Sequence, residues 1–411
     1  MSANRTFVIV GGGLAGAKLA EALRDNDFDG EIVLFCAEEH LPYERPPLSK
    51  DHMIVGKPLD AFTVHPGDWY RDHRVDVRLG TTVTALDPAA HTVTLPDGST
   101  VHYDKAALAT GSRSRRPPIP GADAPNVRYL RTVDESDDLL GTLTHGTHLV
   151  IVGAGWIGLE IAAAARGREV TVTVVETAPL PLFGALGPEM GTVFAELHRE
   201  HGVDLRLEAS VESIVTGDDG RATAVRLAGG EELAADVVLV AVGAAPNVEL
   251  AQAAGLDVDG GVLVDAALTT SDPDIVAIGD IAAHQHPVLG TRVRVEHWAN
   301  ALNQPAVAAA TMLGRTAAYT NLPYFFTDQY ELGMEYVGHT PNGYARVVVR
   351  GDAARHEFVA FWLDDSDRVL AGMNVNVWDV TDAIKAIIGS RQPVNAERLA
   401  DPAVPLDDAY A

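Results

Sequence analysis

Two short glycine stretches carry the first chemical signal in the chain. Gly153, Gly155 and Gly158 stand in G-x-G-x-x-G spacing after the apolar run Leu149-Val150-Ile151-Val152. An Ala-rich segment over 157–166, expected to be helical, comes next. Such a turn needs glycine for a tight reversal, for close approach of the backbone to a pyrophosphate, and for close packing of helix on strand. The N-terminus of the next helix then offers unpaired N–H groups and a positive dipole end to the phosphates. One such stretch is a weak signal, because glycine often follows a strand. A second copy lies about a third of the chain earlier: Thr6-Phe7-Val8-Ile9-Val10, then Gly11-Gly12-Gly13-Leu14-Ala15-Gly16, then a helix over 17–24. Two strand–glycine–helix units on one chain read as two dinucleotide sites.

Acids and cations stand where such sites would use them. After a strand expected over 31–35 come Glu38 and Glu39. An acid at that place accepts hydrogen bonds from an adenosine ribose. Glu38 is the candidate and Glu39 the alternative, the unused one being a solvated surface acid. Glu176 closes a strand over 170–175, roughly 20 positions beyond Gly155, the spacing at which a carboxylate meets a ribose 2′-OH. No arginine stands between 177 and 188 to neutralise a 2′-phosphate, and a carboxylate would repel one, which favours NADH over NADPH. The segment His40-Leu41-Pro42-Tyr43-Glu44-Arg45-Pro46-Pro47-Leu48-Ser49-Lys50 is stiffened by its prolines. Arg45 and Lys50 either face a phosphate or an electron-rich ring, or are solvated charges on a rigid loop. Asp280 follows a strand over 275–278 and heads an expected helix, where it can bind a sugar alcohol, serve as N-cap, or both. Cys36 is the sole cysteine, so no disulfide and no C-x-x-C pair exists within the chain. It reads as a small buried apolar residue rather than a reactive thiol.

The elements that must position these residues repeat one plan. With 411 residues, 47% of them hydrophobic and 21% charged, the chain can build two or three globular domains. A net charge of −26 argues against non-specific binding to nucleic acid or to an anionic membrane surface. No apolar run nears the roughly 20 residues of a membrane span. The first residues show no apolar targeting core, so a cytoplasmic address is expected. Strands over 75–79, 81–86, 92–95 and 100–103, with a turn at Pro96-Asp97-Gly98, lead to a strand stopping at Thr110-Gly111. Arg113, Arg115, Arg116 and the Pro-rich 117–120 read as a linker. The second unit adds helices over 134–143 and 190–201 and strands over 210–216, 223–227 and 237–242, stopping at Gly243. The segment after 245 supplies what the first copy lacks, so the second copy is inserted within the first. Residues 320–411 are aromatic-rich, with strands over 345–350, 357–363 and 369–374, a helix near 380–388, and a loose tail after Arg391.

On Pro42–Lys50, the paired glycine motifs, Ala277-Ile278-Gly279-Asp280 and Thr327-Asp328-Gln329-Tyr330, the chain resembles the two-dinucleotide flavoprotein reductases over nearly its whole length. More closely it is similar to the FAD-dependent ferredoxin and rubredoxin reductase family of the putidaredoxin-reductase type. The resemblance implies an α/β fold of two Rossmann-like domains, the NAD domain inserted in the FAD domain, plus a C-terminal α+β domain. The implied bounds are 1–115 and 246–321 for FAD, 116–245 for NAD and 322–411 for the last domain. FAD is then held by Gly11, Gly13, Leu14, Ala15, Gly16, Glu38, Arg45, Lys50, Thr110, Gly111 and Asp280. Val83, Arg113, Gly279, Glu296, His297, Trp298 and Phe326 are further candidates. NAD falls to Gly153, Gly155, Trp156, Ile157, Gly158, Glu176 and Gly243.

The lysine matching Lys50 lies near flavin N5, paired with the glutamate matching Glu160, and these two are the catalytic candidates. Spacing independently puts Glu160 on the first turns of the nucleotide-facing helix. Trp156 either covers the flavin until nicotinamide displaces it or simply packs. Phe326 stands where the family often has Trp, and so lacks the indole N–H. The implied activity is hydride transfer from NADH to FAD, then single-electron transfer to a [2Fe–2S] ferredoxin or rubredoxin feeding a cytochrome P-450 or Rieske-type oxygenase. The alternatives are an NADH oxidase and an NADH-sensing flavoprotein resembling apoptosis-inducing factor. A basic patch including Arg292 and Arg294 is expected to dock the acidic ferredoxin. No metal site is expected, and the chain is expected to be a monomer or weak homodimer.

Overall fold

The computed structural model describes residues 5–411. It divides into two compact units. The first comprises the chain up to Glu44, Pro58–Arg113 and Ala245–Tyr324; the second comprises Arg45–Lys57, Ser114–Ala244 and Phe325–Ala411.

The first unit is built on a parallel sheet in the order Ile275–Ala277, Lys105–Leu108, Thr6–Val10, Glu31–Phe35, Val75–Arg78. Its inner strands are continuous apolar runs because both faces are covered. Phe7, Val8 and Ile9 are fully buried. Helix Leu14–Asp25 turns Leu19, Ala20 and Leu23 into this core and packs against helix Trp298–Met312. The strand supplied from beyond residue 245 completes the sheet edge, pairing Val276 with Ala107. A small antiparallel sheet, Ala85–Asp87, Thr92–Thr94 and Thr100–His102, pairs separately but packs Leu86 and Val93 into the same core.

The second unit repeats the plan with a parallel sheet in the order Asp204–Arg206, Thr171–Val175, His148–Val152, Val237–Val240, Val127–Arg128. Its own antiparallel appendage is Val211–Thr216, Ala222–Leu227 and Glu232–Ala234. A five-stranded sheet comes after it in the order Tyr324–Gln329, Leu332–Gly338, Val369–Val375, Glu357–Leu363, Arg346–Asp352, with helix Thr381–Ser390 against it. Among the described residues no helix is long and apolar enough to cross a membrane.

Four expectations about elements change. The strand expected over 81–86 shrinks to Ala85–Asp87, although Val83 is still buried in the core. The helix expected over 190–201 is Phe183–Glu200, broken at Gly187 (φ 79°). Pro188 follows that break, where its missing N–H costs nothing at the start of a helical segment. Asp280 does not head a helix. It lies in a single 3-10 turn, Gly279–Ile281, because the next residues pair as strand Ala282–His286 with Val262–Val264 and Thr291–Val293. The tail after Arg391 is not loose. Helix Ala396–Ala400 buries Leu399 completely, and Val394 bridges Tyr410. The Arg350 guanidinium donates to the carbonyls of Asp401, Pro402 and Val404 at 2.7, 3.1 and 2.7 Å. A chain ending at residue 391 therefore loses the burial of Val394 and Leu399, at least about 3 kcal/mol, and unfolds at lower denaturant than the full chain in an equilibrium titration.

Candidate functional site

The two glycine turns have the same construction. Gly11 holds φ 126°, and a Cβ on it would lie 2.1 Å from the Ala109 carbonyl oxygen. A Cβ on Gly16 would meet the Gly11 carbonyl oxygen at 2.1 Å. In the second unit Gly153 has φ 104° with Ala241 O at 2.5 Å, and Gly158 faces Gly153 O at 2.3 Å. The outer glycines are thus jammed against strand and turn. The middle ones, Gly13 and Gly155, have nothing within 4 Å of a Cβ. Both are N-caps without a side-chain cap, so no capping side chain takes up the first N–H groups of helices Leu14–Asp25 and Trp156–Arg166. That is the cradle a pyrophosphate needs, and both turns fit one. Leu14 and Ala15 are buried at the first turn, while Ile157 is exposed at the second.

Each turn has an acid beside it. The Glu38 carboxylate accepts from the Tyr43 hydroxyl at 2.5 Å. Glu39 instead lies over Gly80. The Glu176 carboxylate reaches into its own glycine turn, accepting from Ala154 N–H at 2.8 Å and from Ala178 N–H at 2.9 Å. Arg206, on the adjoining strand, is paired with Asp204 and Glu231 at 2.8 and 3.0 Å.

Further residues of the first unit gather around its turn. Gly279 (φ 75°) approaches Ala15, a Cβ on it lying 3.4 Å from the Ala15 Cβ, and Asp280 beside it is buried. Gln304, which the sequence did not single out, accepts from Gly279 N–H at 2.7 Å. Its Nε2 is buried without an acceptor, a donor left over for a bound group. Thr110 and Asn247 exchange hydrogen bonds at 2.7 and 2.8 Å, fixing the strand end at Gly111. Arg113 donates to Asn247 and pairs with Glu249 at 2.6 Å. The Trp298 indole N–H donates to Glu44 at 3.0 Å, and His297 is the N-cap of the helix that Trp298 begins. Of the two arginines expected in a basic patch, Arg292 is exposed and donates to the carbonyls of Ala283 and Val264, which leaves its charge uncompensated. Arg294 donates to the Asp280 carbonyl and pairs with Glu296 at 2.6 Å, which offsets its charge.

The second unit brings Lys50 and Glu160 together. Lys50 ends the 3-10 turn Pro46–Ser49, and Glu160 lies on helix Trp156–Arg166, a turn and a half from Gly155. Their ammonium and carboxylate meet at 2.5 Å, with both residues buried. The same carboxylate accepts from the Ser49 hydroxyl at 2.5 Å and the Thr327 hydroxyl at 2.6 Å. A buried ion pair persists only when its remaining hydrogen-bonding capacity is filled, and these hydroxyls help to fill it. Ser49 and Thr327 were visible only as parts of motifs; nothing in their spacing showed that they converge on Glu160. The Lys50 ammonium also lies 5.4 Å from the Phe326 ring centroid. Arg45 donates to the Arg131 carbonyl. Trp156 packs edge-on to Phe325 and Phe194 at 4.6 and 5.8 Å. Gly243 (φ 97°) accepts from Arg115 N–H at 2.9 Å.

Cys36 packs beneath the first glycine turn, where a Cβ on Gly12 would be 2.2 Å from its sulfur. Burial and the Glu38 carboxylate push its thiol up to about 12. The native protein should therefore resist a thiol reagent at pH 8 and yield one reactive equivalent only in denaturant. Among the described residues no group of three or more His, Cys, Asp or Glu side chains is arranged to hold a metal ion.

Comparison with known proteins agrees with this geometry. Residues 5–305 match the family described as pyridine nucleotide-disulphide oxidoreductase, and residues 324–410 match the reductase C-terminal domain. The ferredoxin–NAD(+) reductase component of an anthranilate 1,2-dioxygenase system from Burkholderia cepacia is 42% identical, covering 97% of this chain and 98% of its own. Putidaredoxin reductase from Pseudomonas putida is 38% identical, covering 100% of this chain and 98% of its own. The crystal structure of a covalent putidaredoxin reductase–putidaredoxin complex matches with TM-score 0.95 at 37% identity, covering 99% of this chain and 98% of that one. With its two open glycine turns on parallel sheets and its added five-stranded sheet, the chain belongs to the pyridine nucleotide-disulphide oxidoreductase family and carries the reductase C-terminal domain.

Proposed function

We propose that this protein is an NADH-dependent ferredoxin reductase that holds FAD at the first glycine turn and NADH at the second. The observation that carries the reading is the buried Lys50–Glu160 pair, whose Glu160 lies on the helix that begins at the open Gly155 turn. The names of the relatives from Burkholderia cepacia and Pseudomonas putida support the acceptor. Bound FAD would supply the chemistry, taking a hydride from NADH and releasing electrons singly to an iron–sulfur protein. The chain's residues position and polarise. Gly153, Gly155, Trp156, Ile157, Gly158 and Gly243 shape the nicotinamide-nucleotide side, and Glu176 accepts from the ribose. Arg206, on the strand beside Glu176, is already paired with Asp204 and Glu231 rather than left for a 2′-phosphate, which supports NADH over NADPH. On the flavin side Gly11, Gly13, Leu14, Ala15, Gly16, Glu38, Arg45, Val83, Thr110, Gly111, Gly279 and Asp280 bind. Arg113, Glu296, His297, Trp298 and Phe326 support them. Gln304 adds an amide donor.

As the resemblance implies, the Lys50 ammonium, held by Glu160, would offer positive charge to the negative charge that develops on a bound flavin. A dithiol route is closed because Cys36 is alone and buried. The functional bounds belong to the same proposal: FAD on 1–115 and 246–321, NAD on 116–245, and the last domain on 322–411. A cytoplasmic address goes with it.

The test is NADH-driven cytochrome c reduction with and without a [2Fe–2S] ferredoxin, with oxygen uptake recorded in parallel. Turnover should require the ferredoxin while oxygen uptake stays small. NADH consumed with oxygen regardless of ferredoxin makes the protein an oxidase or a sensor instead.

A further inference from the structure

Beyond the Lys50–Glu160 pair, the second unit contains a buried polar chain that the proposed reaction does not use. Its donor directions follow from its chemistry. The Glu160 carboxylate can only accept, so the Thr327 hydroxyl donates to Oε1 at 2.6 Å. With that proton committed, Thr327 Oγ1 accepts from the Gln329 amide Nε2 at 3.2 Å. Gln329 Oε1 then faces His198 Nε2 at 2.8 Å, so the imidazole carries its proton on Nε2. Its Nδ1 is left as acceptor for the Tyr330 hydroxyl at 3.3 Å. Every donor, from Tyr330 through His198, Gln329 and Thr327, points toward Glu160.

Thr327, Gln329 and His198 are essentially inaccessible to solvent. Burial holds the His198 imidazole down to about 4, so it is neutral at physiological pH and keeps Nδ1 as an acceptor. Tyr330 sits at φ 55° between strands Tyr324–Gln329 and Leu332–Gly338 and stacks on His201 at 3.7 Å. His201 in turn pairs with Glu331 at 3.1 Å. A primary amide cannot pass a proton along without becoming an imidic acid, so the chain orients rather than conducts.

We infer that Thr327, Gln329 and His198 are positioning residues whose single-direction hydrogen-bond chain holds the Glu160 carboxylate aimed at the Lys50 ammonium. This rests on the reductase reading above. The carboxylate's charged partner is the Lys50 ammonium, and Asp328, held above its usual range chiefly by burial, feels the charges of both Lys50 and Glu160.

The test uses the FAD-loaded protein with Thr327→Val. Losing one hydrogen bond to a charged group should slow hydride transfer from NADH about tenfold. The displaced ammonium should also shift the visible absorption of the oxidised bound flavin, recorded without NADH, which a merely structural role would not move. Thr327→Ser should restore both. Gln329→Met, which cuts the chain one link further out, should shift both in the same direction by less, and it decides the matter if Thr327→Val retains no flavin. An unmoved rate and an unmoved flavin spectrum in flavin-loaded variants overturn the inference. A wild-type protein that retains no flavin, or turns over without ferredoxin, overturns the reductase reading instead.

Discussion

Lys50→Met lowers the rate at which NADH reduces bound FAD by about a hundredfold, the scale of removing one charge-stabilising group from a reacting centre. NADH affinity changes little, because Lys50 contributes nothing to the Gly153–Gly158 turn. Methionine keeps the length of the side chain and removes the ammonium that Glu160 holds at 2.5 Å. Lys50→Met also costs stability, because it leaves the buried Glu160 carboxylate with only the Ser49 and Thr327 hydroxyls. Glu160→Leu is the harsher change for stability. It strands a buried ammonium and two hydroxyls, a loss of about 3 kcal/mol. Stopped-flow reduction under excess NADH, with denaturant unfolding alongside, separates the two effects. A Lys50→Met reduction rate within threefold of wild type removes Lys50 from the reacting centre.

The second large effect distinguishes the glycines from one another. Gly155→Ala leaves the unfolding midpoint of the protein unchanged, yet weakens NADH binding by about a hundredfold. Nothing of the protein lies within 4 Å of the added carbon, so only an incoming pyrophosphate meets it. Gly153→Ala fails differently. Its carbon would sit 2.5 Å from the Ala241 carbonyl oxygen at φ 104°, so the turn itself distorts and stability falls together with binding. Isothermal titration with NADH and equilibrium unfolding on both variants read the contrast. Equal stability losses in the two would mean that the space in front of Gly155 is filled by the protein rather than kept for a ligand.

The resolution of the sequence into elements was uneven for physical reasons. Strands Glu31–Phe35 and Glu357–Leu363 were legible to the residue because short apolar runs bounded by turn residues allow little else. The same local logic overextended at 81–86, where alternation continued but no partner strand was available. It misread Asp280, because a Gly-Asp after a strand starts a helix only if the residues beyond it are not claimed by another sheet. It took the tail after Arg391 as loose from its Pro and Asp content. The carbonyls of that tail are gathered by Arg350, some fifty positions earlier, a contact that no window of sequence contains.

Short-range constraints are the part of this protein that its sequence expresses without the fold. Glycine spacing set the two turns, hydrophobic period set the strands beneath them, and cysteine count closed the dithiol route. Tertiary structure alone decided which long-range partners meet. Glu160 collects Ser49 and Lys50 from more than a hundred positions before it and Thr327 from more than a hundred after it. Of Arg292 and Arg294, alike on paper, only Arg294 is offset by an acid, Glu296, while Arg292 is held by carbonyls and keeps its charge. A local pattern fixes backbone geometry because its energies act between neighbours. The partner of a buried charge is chosen by the cost of leaving it unpaired anywhere in the folded chain.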